Sequence, residues 1–420
     1  MELAFEGRKI SGSLRAPPSK SHTHRAFFMA SLSPGETVVR DPLMAQDTLS
    51  TLEAMRAMGA DAQLEDGSVR IHGHPLRAPS QTIDVGNSGT TLRILAGIAS
   101  SLKEKVSLTG DPSIQKRPMG PLLNALRDLG ASCESRSGFP PISVQGPLRG
   151  GEVGINGNMS SQFISSLLMA APLAGRDVDI SVLGRMVSRP YVDVTLDMMR
   201  RFGLKIDNEG TSFHVRHGQS YHSKDYTVPG DFSSAAFPMA AAALAGEVTV
   251  MGLDMQDPQG DKAMLDILRQ MGADVRVDHG SVTISQSSLE GVDVDMGDIP
   301  DLFPITAVLA ATATGESRLF GAPQLRFKES DRIQHTVAML HNLGADVTET
   351  DDGCIIRGVA RLRGGWVDPV DDHRLMMAAA VASLASEEPV AVKDAECHSV
   401  SYPSFLQDMR SIGLRWRELS

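Results

Sequence analysis

The chain has 420 residues, 41% hydrophobic and 22% charged, a balance that excludes a disordered polypeptide and a length that exceeds what one ordinary core serves. Asp and Glu outnumber Lys and Arg by 51 to 40, and the net charge of -11 excludes a broad basic face for nucleic acid or an anionic membrane, so any anion site must be local. Cys133, Cys354 and Cys397 are too scattered for a disulfide framework or a zinc site, and neither a signal-peptide core nor a membrane-length apolar run is present; a cytoplasmic protein is expected.

In chain order, LAFEGRKISGSL reads as an orphan strand. After Pro17-Pro18, SKSHTHRAFFMASL reads as a helix that is apolar nearly all round beyond its first turn, and therefore buried. LEAMRAMGA is an amphipathic helix, and DAQLEDGSVRIHG a hairpin turning at Asp66-Gly67. This order then returns. Further buried helices are predicted over NSGTTLRILAGIA, NMSSQFISSLLMAAPLAG, DFSSAAFPMAAAALAG, DLFPITAVLAATATG and DDHRLMMAAAVASLAS, and five of the six have Asn, Asp or Ser near the N-cap. The amphipathic phrase recurs as LLNALRDLGA, TLDMMRRFGL, MLDILRQMGA, VAMLHNLGA and FLQDMRSIGL. Its closing glycines, Gly59, Gly130, Gly203, Gly272, Gly344 and Gly413, are 71, 73, 69, 72 and 69 residues apart, which makes six copies of one unit. Met264, Ile267, Leu268 and Met271 mark the apolar stripe, and further hairpins are expected to turn at His279-Gly280 and Asp352-Gly353.

The sixth copy lacks a complete hairpin, so the N-terminal strand is expected to complete it. Residues 1–17 and 229–420 then form one lobe of three repeats, and residues 18–228 an inserted lobe of three. The crossovers fall at Pro17-Pro18 and at Val228-Pro229-Gly230.

Helix N-termini carry partial positive charge and unpaired N–H donors, so they bind anions without a net basic surface. Lys20, Ser21 and Arg25 fall at the first turn of one buried helix, where His22 and His24 read as ordinary helix-start residues and not as metal ligands. Asn87-Ser88-Gly89-Thr90 with Arg93 opens a second, its glycine admitting close approach of an anion. Ser160, Ser161 and Gln162 open a third, and Asp371-Asp372-His373-Arg374 opens another. Arg117, and Arg185 with Arg189, read singly as solvated charges. FKESDR combines both signs in Lys328, Glu329, Asp331 and Arg332, as an acid/base with anion clamps would. Each segment alone is explained by capping or by a solvated face. Together they are not.

The motifs SKSxxxR, GNSGTTLR, KRPMGPL, GNMSSQF, SRPYVDVT, FKESDR and DHR, in this order and over essentially the whole chain, resemble the 5-enolpyruvylshikimate-3-phosphate synthase family. The resemblance implies an α/β (α+β) fold, a two-lobed inside-out α/β barrel of six βαβαββ repeats, three per lobe about a pseudo-threefold axis, with helix starts facing an interlobe cleft. It implies transfer of the enolpyruvyl group of phosphoenolpyruvate to the 5-hydroxyl of shikimate 3-phosphate through a tetrahedral intermediate, with release of phosphate and no metal or organic cofactor. By resemblance, Ser21 and Arg25 hold the shikimate carboxylate; Ser160, Ser161, Ser188 and Lys328 hold its phosphate, with Lys20, Gln162, Gln324 and Tyr191 in the same pocket. Lys20, Arg117 and the backbone of Gly89, near Gln162, meet the phosphoenolpyruvate phosphate, and Arg332 and Arg374 fork its carboxylate. Asp301 is assigned to the attacking hydroxyl, also touching shikimate 3-phosphate, and Glu329 to proton transfer at the methylene, with Lys20 sharing the roles. The family is the target of glyphosate, which occupies the phosphoenolpyruvate site.

Two positions depart from the family pattern. Val400 stands where many members have a lysine, so one anion contact is lost or supplied by another residue such as His398, and Gln324 replaces the usual asparagine. Three other readings compete. The sister transferase acting on UDP-N-acetylglucosamine often carries a reactive cysteine where Thr109 to Pro118 has none, and an RNA 3′-phosphate cyclase needs a basic RNA path. A non-catalytic phospho-ligand binder would not need both Asp301 and Glu329. The chain is expected to act as a monomer on its two small-molecule substrates, without nucleic acid or membrane.

Overall fold

In the computed structural model, which describes residues 1–419, the chain opens with β1 (Leu3–Glu6) and β2 (Ile10–Arg15). The first repeat is α1 (Lys20–Leu32), β3 (Gly35–Arg40), α2 (Gln46–Ala57), β4 (Asp61–Glu65) and β5 (Ser68–Gly73). The second runs β6 (Ile83–Asp84), α3 (Gly89–Ala99), β7 (Val106–Thr109), α4 (Gly120–Asp128), β8 (Ser132–Arg136) and β9 (Phe139–Gln145). The third runs β10 (Gly151–Asn156), α5 (Ser161–Ala170), β11 (Val178–Leu183), α6 (Arg189–Arg201), β12 (Ile206–Glu209) and β13 (Ser212–Val215). A two-residue strand, β14 (Tyr226–Thr227), precedes the fourth: α7 (Phe232–Ala245), β15 (Gly246–Met251), α8 (Met264–Gln270), β16 (Asp274–Asp278) and β17 (Ser281–Ser285). The fifth is β18 (Asp293–Asp295), α9 (Phe303–Ala310), β19 (Glu316–Phe320), α10 (Arg332–Asn342), β20 (Asp346–Thr350) and β21 (Gly353–Arg357). The sixth is β22 (Gly365–Val367), α11 (His373–Ala382), β23 (Val390–Val392), α12 (Phe405–Ser411) and β24 (Arg415–Glu418).

Among the described residues the strands form six four-stranded sheets, one per βαβαββ repeat. In four of them the strand before the buried helix runs parallel to the strand after it: β6 with β7, β10 with β11, β18 with β19, β22 with β23. In the first and fourth repeats these partners are exchanged. β2, which leads into α1, pairs with β15, and β14, which leads into α7, pairs with β3.

Each amphipathic helix ends at its predicted glycine, and all six take positive φ, from 87° to 113°. The chain entering the next repeat then caps the helix. The N–H groups of Arg77, Arg149, His222, Glu290 and Arg363 donate at 2.8–2.9 Å to the carbonyls of Met58, Leu129, Phe202, Met271 and Leu343. In the sixth repeat the donor is Ser11, to Ile412, from the other end of the chain.

The N-terminal segment is two strands, not the single one expected. β1 lies between β23 and β24 and completes the sixth sheet, whereas β2 joins the fourth. The break falls at Gly7, where a β-carbon would lie 2.2 Å from the Ser383 carbonyl. The fifth hairpin turns at Asp351-Asp352, and Gly353 already belongs to the return strand. That glycine serves close packing: a β-carbon there would lie 1.8 Å from the Leu319 carbonyl.

The chain divides into two compact units, Pro18–Val228 and Met1–Pro17 with Pro229–Ser420. Each has its own core. In the unit holding β1 and β2, the alanine-rich helices α7, α9 and α11 pack on one another and are buried on nearly every side. In the other, α3 lies against α5, a contact Gly97 permits because a β-carbon would lie 2.4 Å from Ser166 Oγ; α1 packs on α2 and α6.

Candidate active site

Four of the six buried helices carry a capping side chain as predicted. Ser88, Ser160, Asp231 and Asp372 accept from the N–H of Thr91, Gln162, Ser233 and Arg374. Ser19 precedes α1 but makes no capping bond; its hydroxyl lies 3.0 Å from His22 Nδ1. α9 is preceded by a 3₁₀ turn, Pro300–Leu302, so Asp301 is released from capping.

In the unit Pro18–Val228, Lys20 is the first residue of α1, and its ammonium meets Asp47 Oδ2 at 3.0 Å with both groups largely buried. It is no surface lysine. Arg25 is 2% exposed. Its guanidinium donates to Thr195 Oγ1 (2.8 Å), the Ser21 carbonyl (2.9 Å), the Tyr191 carbonyl (3.0 Å) and Ser165 Oγ (3.3 Å), bracing α1 against α5 and α6. None of these partners is a carboxylate. Burial without a counter-charge lowers its pKa to about 10, so the cation keeps its charge at neutral pH and favours an incoming anion.

At the start of α3, Gly89 faces two guanidinium groups: a β-carbon there would lie 2.8 Å from Arg117 Nη1 and 3.6 Å from Arg93 Nη1. Arg117 is buried and donates to Asn87 Oδ1 at 2.5 Å and Ser113 Oγ at 3.3 Å, and Asn87 in turn donates to Asp111. Gln162 accepts from Arg93 Nη1 at 2.5 Å and donates to Thr90 Oγ1 at 2.8 Å, joining the first turns of α3 and α5. Arg93 also lies over the Phe163 ring, 5.3 Å from its centroid. Ser161 is buried beside Ser160. Ser188, also buried, precedes α6 with φ 56° and makes no capping bond, a strained left-handed conformation for a residue with a side chain. Tyr191 is half-buried in the first turn of α6, where Arg189 pairs with Asp193 at 2.9 Å; Arg185 is exposed.

In the other unit, Arg332 opens α10 with 1% of its side chain exposed, which excludes a solvated helix face. Its guanidinium meets Asp372 through Nε at 2.9 Å and Nη2 at 3.2 Å, Asp301 Oδ1 at 2.9 Å and Glu329 Oε2 at 2.6 Å. Arg374 Nη2 takes the second oxygen of Asp301 at 2.7 Å. Burial alone pushes the Asp301 pKa up, but Arg374, Lys328 and Arg332 outweigh it and hold the carboxyl well below the usual carboxylate range. The three carboxylates and burial act on Arg332 in opposite directions, and the carboxylates keep it firmly charged. Gln324 is buried; its Nε2 donates to the Gly297 carbonyl at 3.0 Å, and its Oε1 has no partner among the described residues. Asp261, 2% exposed, accepts from the Ser233 hydroxyl, and burial followed by the nearby Asp301 charge pushes it up to about 7.

Val400 ends the 3₁₀ turn Ala395–Val400. His398 does not supply the missing cation: its Nδ1 lies 2.9 Å from the Tyr402 carbonyl, and burial lowers its pKa, leaving it neutral at pH 7. Asp47 and Asp261 contact these residues although no quoted motif contains them, whereas Asn87, Arg93 and Thr195 lie inside quoted motifs but were given no role by the resemblance.

Six βαβαββ repeats, with cations gathered at buried helix starts and the carboxylates Asp301 and Glu329 set among arginines, define an enolpyruvyl transferase. Residues 5–409 match the family described as EPSP synthase (3-phosphoshikimate 1-carboxyvinyltransferase). The 3-phosphoshikimate 1-carboxyvinyltransferase of Methanocorpusculum labreanum is 50% identical over 421 residues, covering 100% of both chains, and that of Methanothermobacter thermautotrophicus is 46% identical, covering 99% of both. A solved EPSP synthase from Acinetobacter baumannii superposes with a TM-score of 0.84 at 31% identity, over 99% of this chain and 100% of its own. The chain belongs to the EPSP synthase family.

Proposed function

We propose that this chain transfers the enolpyruvyl group of phosphoenolpyruvate to the 5-hydroxyl of shikimate 3-phosphate. The hydroxyl oxygen bonds to C2 of phosphoenolpyruvate as a proton adds to C3; loss of that proton equivalent and of phosphate from the tetrahedral intermediate restores the enol ether. The observation that carries the reading is the cluster in which Arg332 and Arg374 both grip Asp301 beside Glu329.

In this reading Arg332 and Arg374 receive the phosphoenolpyruvate carboxylate, which competes with Asp301 for the same donors. As the substrate takes them, Asp301 loses the cations that depress its pKa and becomes a stronger base toward the 5-hydroxyl. Glu329, on the same guanidinium, serves proton transfer at the methylene, with Lys20 sharing the work. Lys20, Arg117 and the first N–H groups of α3 at Gly89, near Gln162, take the phosphoenolpyruvate phosphate. Ser21 and Arg25 take the shikimate carboxylate, and Ser160, Ser161, Ser188 and Lys328 its phosphate, with Lys20, Gln162, Gln324, Asp301 and Tyr191 in the same pocket. Arg25 supports this by being buried against neutral groups alone. We also read the chain as a cytoplasmic monomer; among the described residues no helix is long and apolar enough to cross a membrane.

The test is phosphate release from phosphoenolpyruvate with shikimate 3-phosphate or UDP-N-acetylglucosamine as acceptor. Release is expected only with the former, and equal turnover with the latter overturns the reading.

A further inference from the structure

Behind the start of α3 runs a chain of buried polar groups with no part in the reading above. His24 of α1, Thr51 of α2, Thr91 of α3 and Ser88 at its N-cap are all fully buried. His24 Nδ1 lies 2.7 Å from Thr51 Oγ1, Thr51 Oγ1 lies 2.6 Å from Thr91 Oγ1, and Thr91 Oγ1 lies 2.6 Å from Ser88 Oγ. The residue before Arg25 is thereby tied, across three helices, to the residue before Gly89. His24 Nε2 has no hydrogen-bond partner among the described residues.

The direction of the chain follows from counting donors. Burial, with the Lys20 and Arg25 charges nearby, holds His24 well below the usual histidine range, so the ring is neutral at pH 7 and carries one N–H. On Nε2 that proton would be a buried donor without an acceptor, a rare and costly state. On Nδ1 it donates to Thr51. Thr51 then donates to Thr91, and Thr91 to Ser88, whose oxygen also accepts the Thr91 N–H at 3.3 Å. The 3.5 Å approach of Thr91 Oγ1 to the Asp47 carbonyl is too long to compete. Ser88 ends the chain with its own proton left over, next to Gly89.

We propose that His24 is a positioning residue: its N–H sets the direction of the His24–Thr51–Thr91–Ser88 relay and so fixes the first turn of α3 that receives the phosphoenolpyruvate phosphate. The inference rests on the functional reading above. The middle helix, α2, also carries Asp47, which holds Lys20, so slack in the relay loosens two contacts of the same phosphate while the shikimate 3-phosphate contacts on α5 and α6 stay in place.

The test is steady-state kinetics on the full chain, wild type against His24→Leu, His24→Asn, Thr51→Val and the double variant His24→Leu/Thr51→Val. Phosphoenolpyruvate affinity by titration calorimetry provides a readout independent of turnover. Acceptor-dependent release by the wild type checks the functional reading separately. Losing one buried hydrogen bond is expected to raise KM and Kd for phosphoenolpyruvate about tenfold. KM for shikimate 3-phosphate and kcat should move by less than about twofold. His24→Asn, whose amide still donates, should restore most of the affinity, and the double variant should be no worse than either single one, since both break one relay. The proposal is overturned if phosphoenolpyruvate binding is unchanged, if both substrates weaken equally, or if the single effects multiply. Should the His24 variants not fold, Thr51→Val, which conserves volume, decides alone.

Discussion

Gly89 and Arg117 stand so close that a single added methyl cannot fit between them: the β-carbon would lie 2.8 Å from Nη1 of a guanidinium already held by Asn87 and Ser113. Gly89→Ala must therefore push Arg117 off its present position. Both KM for phosphoenolpyruvate and the inhibition constant of glyphosate should rise, the latter more, because overpacking a filled site costs about 1–3 kcal/mol and the longer inhibitor also meets the methyl. Inhibition kinetics of the two proteins check this. A wild type insensitive to millimolar glyphosate would show that Gly89 does not control the response.

Asp301→Asn and Glu329→Gln keep shape and remove proton transfer. Each should lower kcat by about 10²–10⁴ while KM for either substrate changes by less than about tenfold. Rapid-quench and steady-state rates measure this, and wild-type turnover in either variant removes that residue from the chemistry.

Asp261 makes stability depend on pH. Its folded pKa, about 7, lies above the ordinary 3.8, so between about pH 4 and pH 7 the folded chain binds more protons than the unfolded one. Stability contributed by the neutral carboxyl is full below that window and lost as pH rises through it, a change on the order of a few kcal/mol. Asp261→Asn should lack this decline and be more stable than wild type at pH 8. Urea midpoints at pH 5 and pH 8 decide it, and equal declines in both proteins would assign the effect elsewhere.

Arg332 lies against Asp372, whose side chain is wholly buried, so Arg332→Leu strands a carboxylate. The expected loss is about 3–5 kcal/mol, lessened by the Ser330 hydroxyl and the Arg374 N–H that Asp372 also accepts. Adding Asp372→Asn, which keeps an oxygen for the helix cap, should recover much of it. Denaturant unfolding of the three variants is the measurement, and additive losses would mean the charge was not the cause.

The repeat was legible because its helices end on glycines in the only conformation that favours them, and because a 3.6-residue stripe such as Met264, Ile267, Leu268 and Met271 survives any tertiary context. Gly353 misled for the converse reason: glycine marks close approach as often as it marks a turn, and composition does not tell the two apart. The exchange of β2 and β14 was hidden because Tyr226–Thr227 is too short for any periodicity. At the site, cations in helix first turns announced themselves. Asp47, Thr51 and Thr91 did not, since an ordinary polar residue in a helix acquires meaning only from a neighbour 27 or 40 positions away.

The placement of β1 between β23 and β24 sets an order of events during synthesis. Residues 18–228 contain every strand of their three sheets, so that unit can close once Thr227 has left the ribosome. Leu3 and Phe5, both fully buried in the finished protein, have no partner strand until residues near 390 are made. At about 5–20 residues per second this is a wait on the order of tens of seconds. β1 is thus an apolar edge that must stay solvated, or be shielded by a chaperone, while a complete unit folds behind it.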